Sequence, residues 1–450
     1  MSWKNQILRL AIDDVNPDGN GVGRAESGMV VFVPLAVPGD VCDVLIIKET
    51  SGFLIGKLIS LITPSPFRVQ PSCPAFGKCG SCAFLHVSEE YENELKREIA
   101  RKAFLRIAKM DVEVEKTRSF GMERYRNKVV YPLVRNGNRC SFGYYARHSH
   151  SVVPHDDCPL QDSRFAEIAG VFCRLADRLH VPVWNESASS GILRHLCVRK
   201  SRAGTFWVTV VAAKRFRGES ALAQELAAAF PCISGVFLNL NPAPGNVIFG
   251  EETVSLLGER VQTDVLCGRE LFISPVSFYQ INADCAENMY DTAAELLNLA
   301  PEDVLLDLFC GIGTIGLSIV SDRQSLFGVE LNPDAVRDAW SNAERCGRTD
   351  RNTFFVCGDA SFGIQACNEK FGRPQAIIVD PPRKGLSDET IRSIVDSNCP
   401  KLLYISCNPA TLAKNCADLC LGHYFVQKVL PFNMFLRTGH VECVTLIAKK

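Results

Sequence analysis

Along the first 62 residues the apolar positions come in short runs separated by turn-forming pairs. "GMVVFVPLAVPGDVCDVLIIKETSGFLIGKLISLI" is broken at Pro38-Gly39 and again at Ser51-Gly52. Runs of this length with such breaks predict the strands of a small β-barrel. "TPSPF" (63–67) reads as a linker, and residues 68–88 are rich in Cys and Gly. The period then changes. "SEEYENELKREIARKAFLRIAK" has helical spacing, with Ser88 as N-cap and acidic residues in the first turn, facing the positive end of the helix dipole. Mixed strands and helices with several turn signals follow from about 125 to 270. From about 271 the rhythm is strand–loop–helix: "VLLDLFCGIGTIGLSIV", "SLFGVELNPDAVRDAWSNAERC", "QAIIVDPPRKG" and "KLLYISCNPATLAKNCADL". Alternating βα units imply a parallel sheet covered by helices. The pattern therefore predicts a multi-domain α/β chain. It has a barrel over 1–62, a mixed α+β region over 63–270 and a parallel α/β domain over 271–450, on which helix 88–110 is expected to pack.

Composition narrows the class only a little. The 450 residues are 47% hydrophobic and 22% charged, with a formal net charge of −1. No apolar stretch approaches the ~18 residues of a membrane span, and "MSWKNQILRL" lacks the features of a signal peptide, so a cytoplasmic protein is expected. Charge is uneven, however. Residues 89–150 carry 14 Lys/Arg against 9 Asp/Glu, a balance suited either to holding phosphates or to a solvated helix face. The 20 cysteines are numerous for a reducing compartment. Cys173, Cys197 and Cys232, each alone among apolar residues, read as small core fillers.

The clustered cysteines ask for another explanation. "PSCPAFGKCGSCAFLH" sets Cys73, Cys79 and Cys82 in a C-x5-C-x2-C array. Three thiolates this close suit a soft metal centre, and Cys158 in "HDDCPLQ" is the best fourth ligand. Zinc and a 4Fe–4S cluster both accept four thiolates. The three-plus-one layout favours the cluster, because a zinc ribbon would use two short C-x2-C pairs. Four cysteines would leave no open iron position, so a structural centre or an RNA-facing platform is expected.

"VLLDLFCGIGTIG" ends a strand at Asp307 and continues into a glycine loop and a helix. Gly311, Gly313 and Gly316 form G-x-G-x-x-G, a weak signal by itself. Glu330 closes the next apolar stretch, where a carboxylate can accept both hydroxyls of a ribose. A dinucleotide would bring its pyrophosphate close to Asp307. S-adenosylmethionine brings a sulfonium and an ammonium group, which a carboxylate suits, and is favoured over a nicotinamide cofactor. Asp359, after the third strand, either faces the adenine or merely caps a turn.

"IIVDPPRKG" sends the Asp380 carboxylate into the crevice at the strand ends, since Pro381-Pro382 fixes an extended exit. Arg383 stands where a site for methylating an amine would place an aromatic ring. Cys407 sits at the next strand end, in "YISCNPATLAKN". C5 of uracil is a poor nucleophile. A thiolate adding to C6 raises electron density at C5, which then attacks a methyl donor, and a base must afterwards remove the C5 proton. Glu442 in "LRTGHVECVTLI" is the candidate base, with His440 two residues earlier. Taken singly, these residues also suit a buried cysteine and a surface glutamate.

Together the motifs resemble the RNA uracil-5-methyltransferase family of the iron–sulfur, TRAM-domain type that modifies 23S ribosomal RNA. The similarity runs through "YRNKVVYPL", "GYYARHSHSVVPHDDC", "GILRHLCVR", "FISPVSFYQIN", "DLFCGIGTIGL", "VDPPRKG", "YISCNPATLAKN" and "HVE". The resemblance implies a TRAM (OB-like) barrel and a Rossmann-like class I methyltransferase domain. It implies a 4Fe–4S cluster on Cys73, Cys79, Cys82 and Cys158. Gln280, Phe309, Thr314, Glu330, Asp359 and Asp380 would contact adenosylmethionine, with Cys407 as nucleophile and Glu442 as base. Arg126 and Lys128 are expected RNA contacts, and transfer RNA is the alternative substrate. A non-catalytic, metal-stapled RNA-binding protein is the alternative of another class. Two stretches depart from the family's usual wording. Gly80-Ser81-Cys82-Ala83 replaces Gly-Gly-Cys-Gln, and Asn433-Met434-Phe435-Leu436 replaces Asp-Met-Phe-Pro. The barrel is not basic, with 5 Lys/Arg against 7 Asp/Glu in residues 1–62, so its RNA-binding role rests on the resemblance.

Overall fold

In the computed structural model, which describes residues 2–154, 156–259 and 261–450, the short N-terminal runs become five strands. They are β1 (Ile7–Val15), β2 (Gly21–Arg24), β3 (Val30–Val33), β4 (Val41–Glu49) and β5 (Phe53–Thr63). They close into a barrel in the order β1-β2-β3-β5-β4. Alternate residues point inward, so Leu10, Ile12, Val31, Val33, Val44, Ile46 and Leu54 fill its centre. Closure removes the edges that short strands would otherwise expose. Gly56 marks the tightest approach, since a Cβ there would come within 2.1 Å of Val44 Cγ1.

Helix α1 (Glu89–Ala103) begins as expected, with Ser88 Oγ accepting a hydrogen bond from Tyr91 N at 3.3 Å. The α-helix is shorter than the expected 88–110. A π-helical turn, Phe104–Ala108, takes over and ends at Lys109 in the left-handed conformation. The wider turn keeps Phe104 buried while Leu105 and Ile107 reach the surface.

The chain divides into two compact units. One comprises Met1–Phe120, Pro382–Gly385 and Ile405–Ile447; the other comprises Gly121–Pro381, Leu386–Tyr404 and Ala448–Lys450.

The second unit contains two layered sheets. The first is built from β6 (Lys128–Asn136), β7 (Arg139–Tyr145), β8 (Val152–Pro154), β9 (Leu193–Lys200), β10 (Phe206–Ala212), β11 (Ile233–Leu240) and β12 (Glu252–Leu257), in the order β12-β11-β10-β9-β6-β7-β8. Helices α2 (Arg164–Arg178) and α3 (Glu219–Ala229) cover it. Phe165, Ile168 and Phe172 of α2 and Leu222 and Leu226 of α3 pack on Tyr131, Leu196, Val208, Val210 and Val236 in one continuous core. A hairpin follows, β13 (Gln262–Leu266) and β14 (Arg269–Ile273), then helix α4 (Ala283–Leu297). The hairpin runs across residue 270, where a boundary was expected.

The βα rhythm then delivers β15 (Val304–Leu308), α5 (Thr314–Ile319), β16 (Ser325–Glu330), α6 (Pro333–Arg345), β17 (Thr353–Cys357), α7 (Gly363–Phe371), β18 (Ala376–Val379), α8 (Asp388–Ser397) and β19 (Lys401–Ser406). Asn342 of α6 donates to the Phe272 carbonyl at 3.1 Å, which ties the hairpin to this layer. Strands β17, β16, β15, β18 and β19 are neighbours in that order and pair in parallel. The order reverses between β15 and β18, which is where open α/β sheets bind ligands at their carboxyl ends.

The first unit also contains α9 (Pro409–Leu421), β20 (Tyr424–Phe432) and most of β21 (Glu442–Lys449). No described helix is long and apolar enough to cross a membrane.

Candidate active site

At the strand-order reversal of the second unit lies a cavity of about 530 Å³. Gln280, Phe309, Thr314, Glu330 and Asp380 all line it. Phe309 follows β15 with φ 70°, a left-handed value held by hydrogen bonds from the Phe309 and Cys310 amides to the Val329 carbonyl at 2.9 and 3.0 Å. Glu330 ends β16. It accepts from Gly311 N at 3.1 Å and from Asn332 N at 2.8 Å, so its carboxylate is fixed against the glycine loop. Gln280 is buried, and its carbonyl accepts from Asn127 Nδ2 at 2.8 Å. Asp380 leaves β18 half-buried, and desolvation pushes its carboxyl up to about 7.

Two expectations change. Asp307 is not among the cavity-lining residues. It is wholly buried, its Oδ2 accepts from Gly316 N at 3.0 Å, and burial pushes it up to about 8. Its work is to fasten the start of α5 beneath the loop. A Cβ at Gly316 would lie 2.9 Å from that oxygen, so this close approach requires glycine. Asp359 is not among the cavity-lining residues. Its side chain accepts from Ser361 N at 2.9 Å and caps a short 3₁₀ turn, Ala360–Phe362, in line with the turn alternative.

The sequence reading missed most of the acidity of the cavity. Glu251, Asp334 and Asp338 join Glu330 and Asp380 on its wall, against a single cation among the described residues, Arg337. Arg337 is itself paired with Asp334. Such a wall repels a pyrophosphate and favours a cation. The Tyr290 hydroxyl, also on the wall, is buried without a hydrogen-bond partner and so is available to a ligand. Asp334 and Asp338 follow Glu330 on α6, four residues apart on one helical face, and that spacing was the legible signal.

Arg126 and Lys128, expected on RNA, are half-buried. Lys128 stands opposite Arg199 across β6 and β9, and burial with this neighbouring cation pushes it down to about 8.

The first unit brings together Cys407 and Glu442. Cys407 leaves β19 immediately before Asn408, the N-cap of α9, whose side chain accepts from the Ala410 and Thr411 amides. Asn408 Nδ2 and Thr411 Oγ1 each donate to the Arg383 carbonyl at 3.1 Å, which pins the Pro-Pro-Arg exit to the thiol's own turn. Glu442 is buried at the start of β21. Cys443 is fully buried, and its thiol is pushed up by burial first and then by the negative charges of Glu442 and Cys407. All three groups therefore lie in one electrostatic neighbourhood. His440 lies 3.0 Å from Arg383 Nη2 through Nε2.

The strap leading to Glu442 hangs on a buried ionic network. Glu92 and Lys96 of α1 pair at 2.9 Å with both side chains inaccessible. Lys96 donates to Asn433 Oδ1 at 2.6 Å and to the Phe435 carbonyl at 3.0 Å, and Arg437 reaches Glu92 at 3.1 Å. The departure at Asn433 is thus an anchor: its amide meets both Lys96 and Glu92. The Ala83 and Phe84 amides donate to the Arg437 carbonyl at 2.7 and 3.0 Å, so the cysteine loop is hung on the same strap. Cys73, Cys79 and Cys82 are half-buried in that loop, which turns on itself through Phe76 N to Cys73 O at 3.1 Å and Cys79 N to Ala75 O at 2.9 Å. Among the described residues, no three potential metal ligands converge on one point.

A closed five-stranded barrel and a parallel sheet with an acidic cavity at its strand-order reversal suit a methyltransferase, and the first unit holds both Cys407 and a buried Glu442. The comparisons agree. Residues 2–59 match the TRAM domain, and residues 363–450 match the family described as tRNA (Uracil-5-)-methyltransferase. An uncharacterized RNA methyltransferase of Staphylococcus aureus (strain MSSA476) is 34% identical over 99% of both chains. One from Halalkalibacterium halodurans is 32% identical over 99% of this chain and 98% of its own. The crystal structure of Pyrococcus abyssi tRNA (uracil-54, C5)-methyltransferase, in complex with S-adenosyl-L-homocysteine, superposes with a TM-score of 0.76 at 22% identity. It covers 98% of this chain and 100% of its own, and supports the fold. The chain belongs to the RNA methyltransferase family of these relatives, as an RNA uracil-5-methyltransferase with an N-terminal TRAM domain.

Proposed function

We propose that the protein transfers a methyl group from S-adenosylmethionine to C5 of a specific uridine in 23S ribosomal RNA. The placement of Cys407 and the buried Glu442 in one unit, each within electrostatic reach of Cys443, supports this reading. The Cys407 thiolate adds to C6 of the uracil and makes an enolate with density at C5. The donor supplies an electrophilic methyl group on a sulfonium, and the C5–CH₃ bond forms as the S–CH₃ bond breaks. Glu442 then takes the C5 proton, the C6–S bond breaks, and the C5=C6 bond and the thiolate return. The end of α9 beside Cys407 favours the negative charge of the thiolate. On the donor, Glu330 takes the ribose hydroxyls, while Asp380 and the acidic wall favour the cationic groups. Transfer RNA is the second reading, favoured by what the Pyrococcus relative is named for.

RNA carrying 5-fluorouridine tests this chemistry, because fluorine at C5 does not leave as a proton does. Wild type with ribosomal RNA fragments and adenosylmethionine should give an adduct that survives denaturation, and Cys407→Ala should give none. An adduct only with transfer RNA would move the substrate. No adduct with either RNA, while adenosylmethionine binds, would overturn C5 methylation.

Cys73, Cys79, Cys82 and Cys158 are proposed to hold a 4Fe–4S cluster. The three-cysteine loop supplies half-buried thiols of the right chemistry, though they are not gathered around one point, and no catalytic step depends on them. Suspended from the Glu442 strap, a cluster there would brace that loop. Anaerobically purified protein should be brown and absorb near ~400 nm. A colourless preparation with stoichiometric zinc would replace the cluster by zinc.

A further inference from the structure

A second cavity of about 530 Å³ lies in the unit that holds the acidic one, and it shares no lining residue with it. It opens between the β6–β7 hairpin, the turn at 182–187 and the start of β9. Its chemistry is the opposite. Tyr145, His150 and Trp184 supply rings; Arg135, Arg194 and His195 supply nitrogen donors; Glu186 is the single carboxylate of the lining. From Val129 to Pro154 the chain has three Arg and two His and no Asp or Glu. A cationic ligand is therefore disfavoured here, and an anionic polymer with flat rings is favoured.

The rings are held in place. Arg194 is buried, donates to the carbonyls of Asn241 and Ala243 at 2.8 and 2.6 Å, and lies 5.3 Å from the centroid of Trp184. Trp184 N donates to the Leu193 carbonyl at 2.7 Å, which fixes the backbone beneath that ring. Tyr145 is 36% exposed, and its ring centroid lies 5.9 Å from that of His150. The Nδ1 atom of His195 is buried without a hydrogen-bond partner. Burial and the adjoining Arg194 charge push His195 down to about 4, so at neutral pH its ring is uncharged and suited to a polar base edge.

We propose that this cavity receives an unstacked base of the RNA substrate, on a nucleotide other than the one methylated. Tyr145 and Trp184 are its stacking platforms, and His195 meets its edge. This rests on RNA being the substrate and adds a second point of grip, which selects RNA presenting two unpaired bases.

Tyr145→Ala, Trp184→Ala and the conservative Tyr145→Phe test it, with 23S ribosomal RNA fragments and bulk transfer RNA as probes. Tyr145→Ala should raise the KM for the methylated RNA about tenfold, within the ~1–3 kcal/mol that one stacked base contributes. Its kcat at saturating RNA, its affinity for adenosylmethionine and the salt dependence of RNA binding should stay at wild-type values. Tyr145→Phe should behave as wild type. If Trp184→Ala fails to fold, Tyr145→Ala decides. A Tyr145→Ala protein with unaltered melting and an unchanged KM would overturn the cavity proposal and leave the methyltransferase reading standing. Wild type that neither binds nor methylates either RNA would overturn both.

Discussion

The two regions that the chemistry needs are built on opposite principles. Around Glu442 nearly every polar group has a partner: Glu92, Lys96, Asn433 and Arg437 form a closed network with no exposure at its Glu92–Lys96 centre. Around the acidic cavity, polarity is left open. The Tyr290 hydroxyl has no partner, and among the described residues five carboxylates face a single arginine. The first arrangement holds still the strap leading to the carboxylate proposed as the base. The second holds groups in reserve for a ligand that arrives with its own charge. Satisfied polarity rigidifies, and unsatisfied polarity is stabilised by binding.

The sharpest way to break this comparison is at the thiol. Cys407→Ala should lower methyl transfer by at least ~10³–10⁴-fold, as when a covalent nucleophile is lost, with adenosylmethionine affinity unchanged by calorimetry. Weakened cofactor binding in that variant would mean that the thiol supports the cavity. Next is the closed network. Lys96→Ala leaves Glu92 buried with one cation fewer and should destabilise the protein by ~3–5 kcal/mol in urea unfolding. A loss under ~1 kcal/mol, the range of exposed ion pairs, would show the network to be solvated.

In the open region, Glu330→Ala should weaken adenosylmethionine about 10- to 100-fold, since hydrogen bonds to a charged group are each worth ~1.5–3 kcal/mol. Melting temperature should fall as well, since Glu330 also accepts from Gly311 N and Asn332 N; unchanged adenosylmethionine affinity would make Glu330 purely structural.

The smallest expected effect is on pH. Asp307 and Asp380 stand at about 8 and about 7 in the fold, against 3.8 for an ordinary aspartate. Both raised carboxyls are protonated in the fold at pH values where the unfolded chain has them ionised. Their contribution is complete below about 3.8, declines as pH rises, and is lost above about 8. Ligand-free wild type should therefore lose melting temperature between pH 5 and pH 8 by more than Asp307→Asn does. Equal slopes would mean that Asp307 is ionised in the fold.

Much of the fold was legible along the chain because it depends on local periodicity. The barrel runs, the Ser88 cap and the βα rhythm are statements about neighbouring residues. Five of the six expected cofactor contacts line one cavity; Phe309, Glu330 and Asp380 stand at strand ends, which are readable from where apolar runs stop. Asp359 and Asp307 were less legible for the same reason. A strand end fixes where a carboxylate begins, and packing decides whether it turns toward ligand or toward the helix beneath.

By itself, the sequence determined the order of elements, the positions of Cys407 and Glu442, and the family. Only the tertiary structure decided what each polar group meets. It buried Glu92 and Lys96, which helical spacing alone would leave in solvent, and it gave Asn433 its role as an anchor. It gathered five carboxylates into one cavity and a ring-lined wall with one carboxylate into another. Those outcomes depend on burial and on partners from 50 to more than 300 residues away, and no local pattern carries that information.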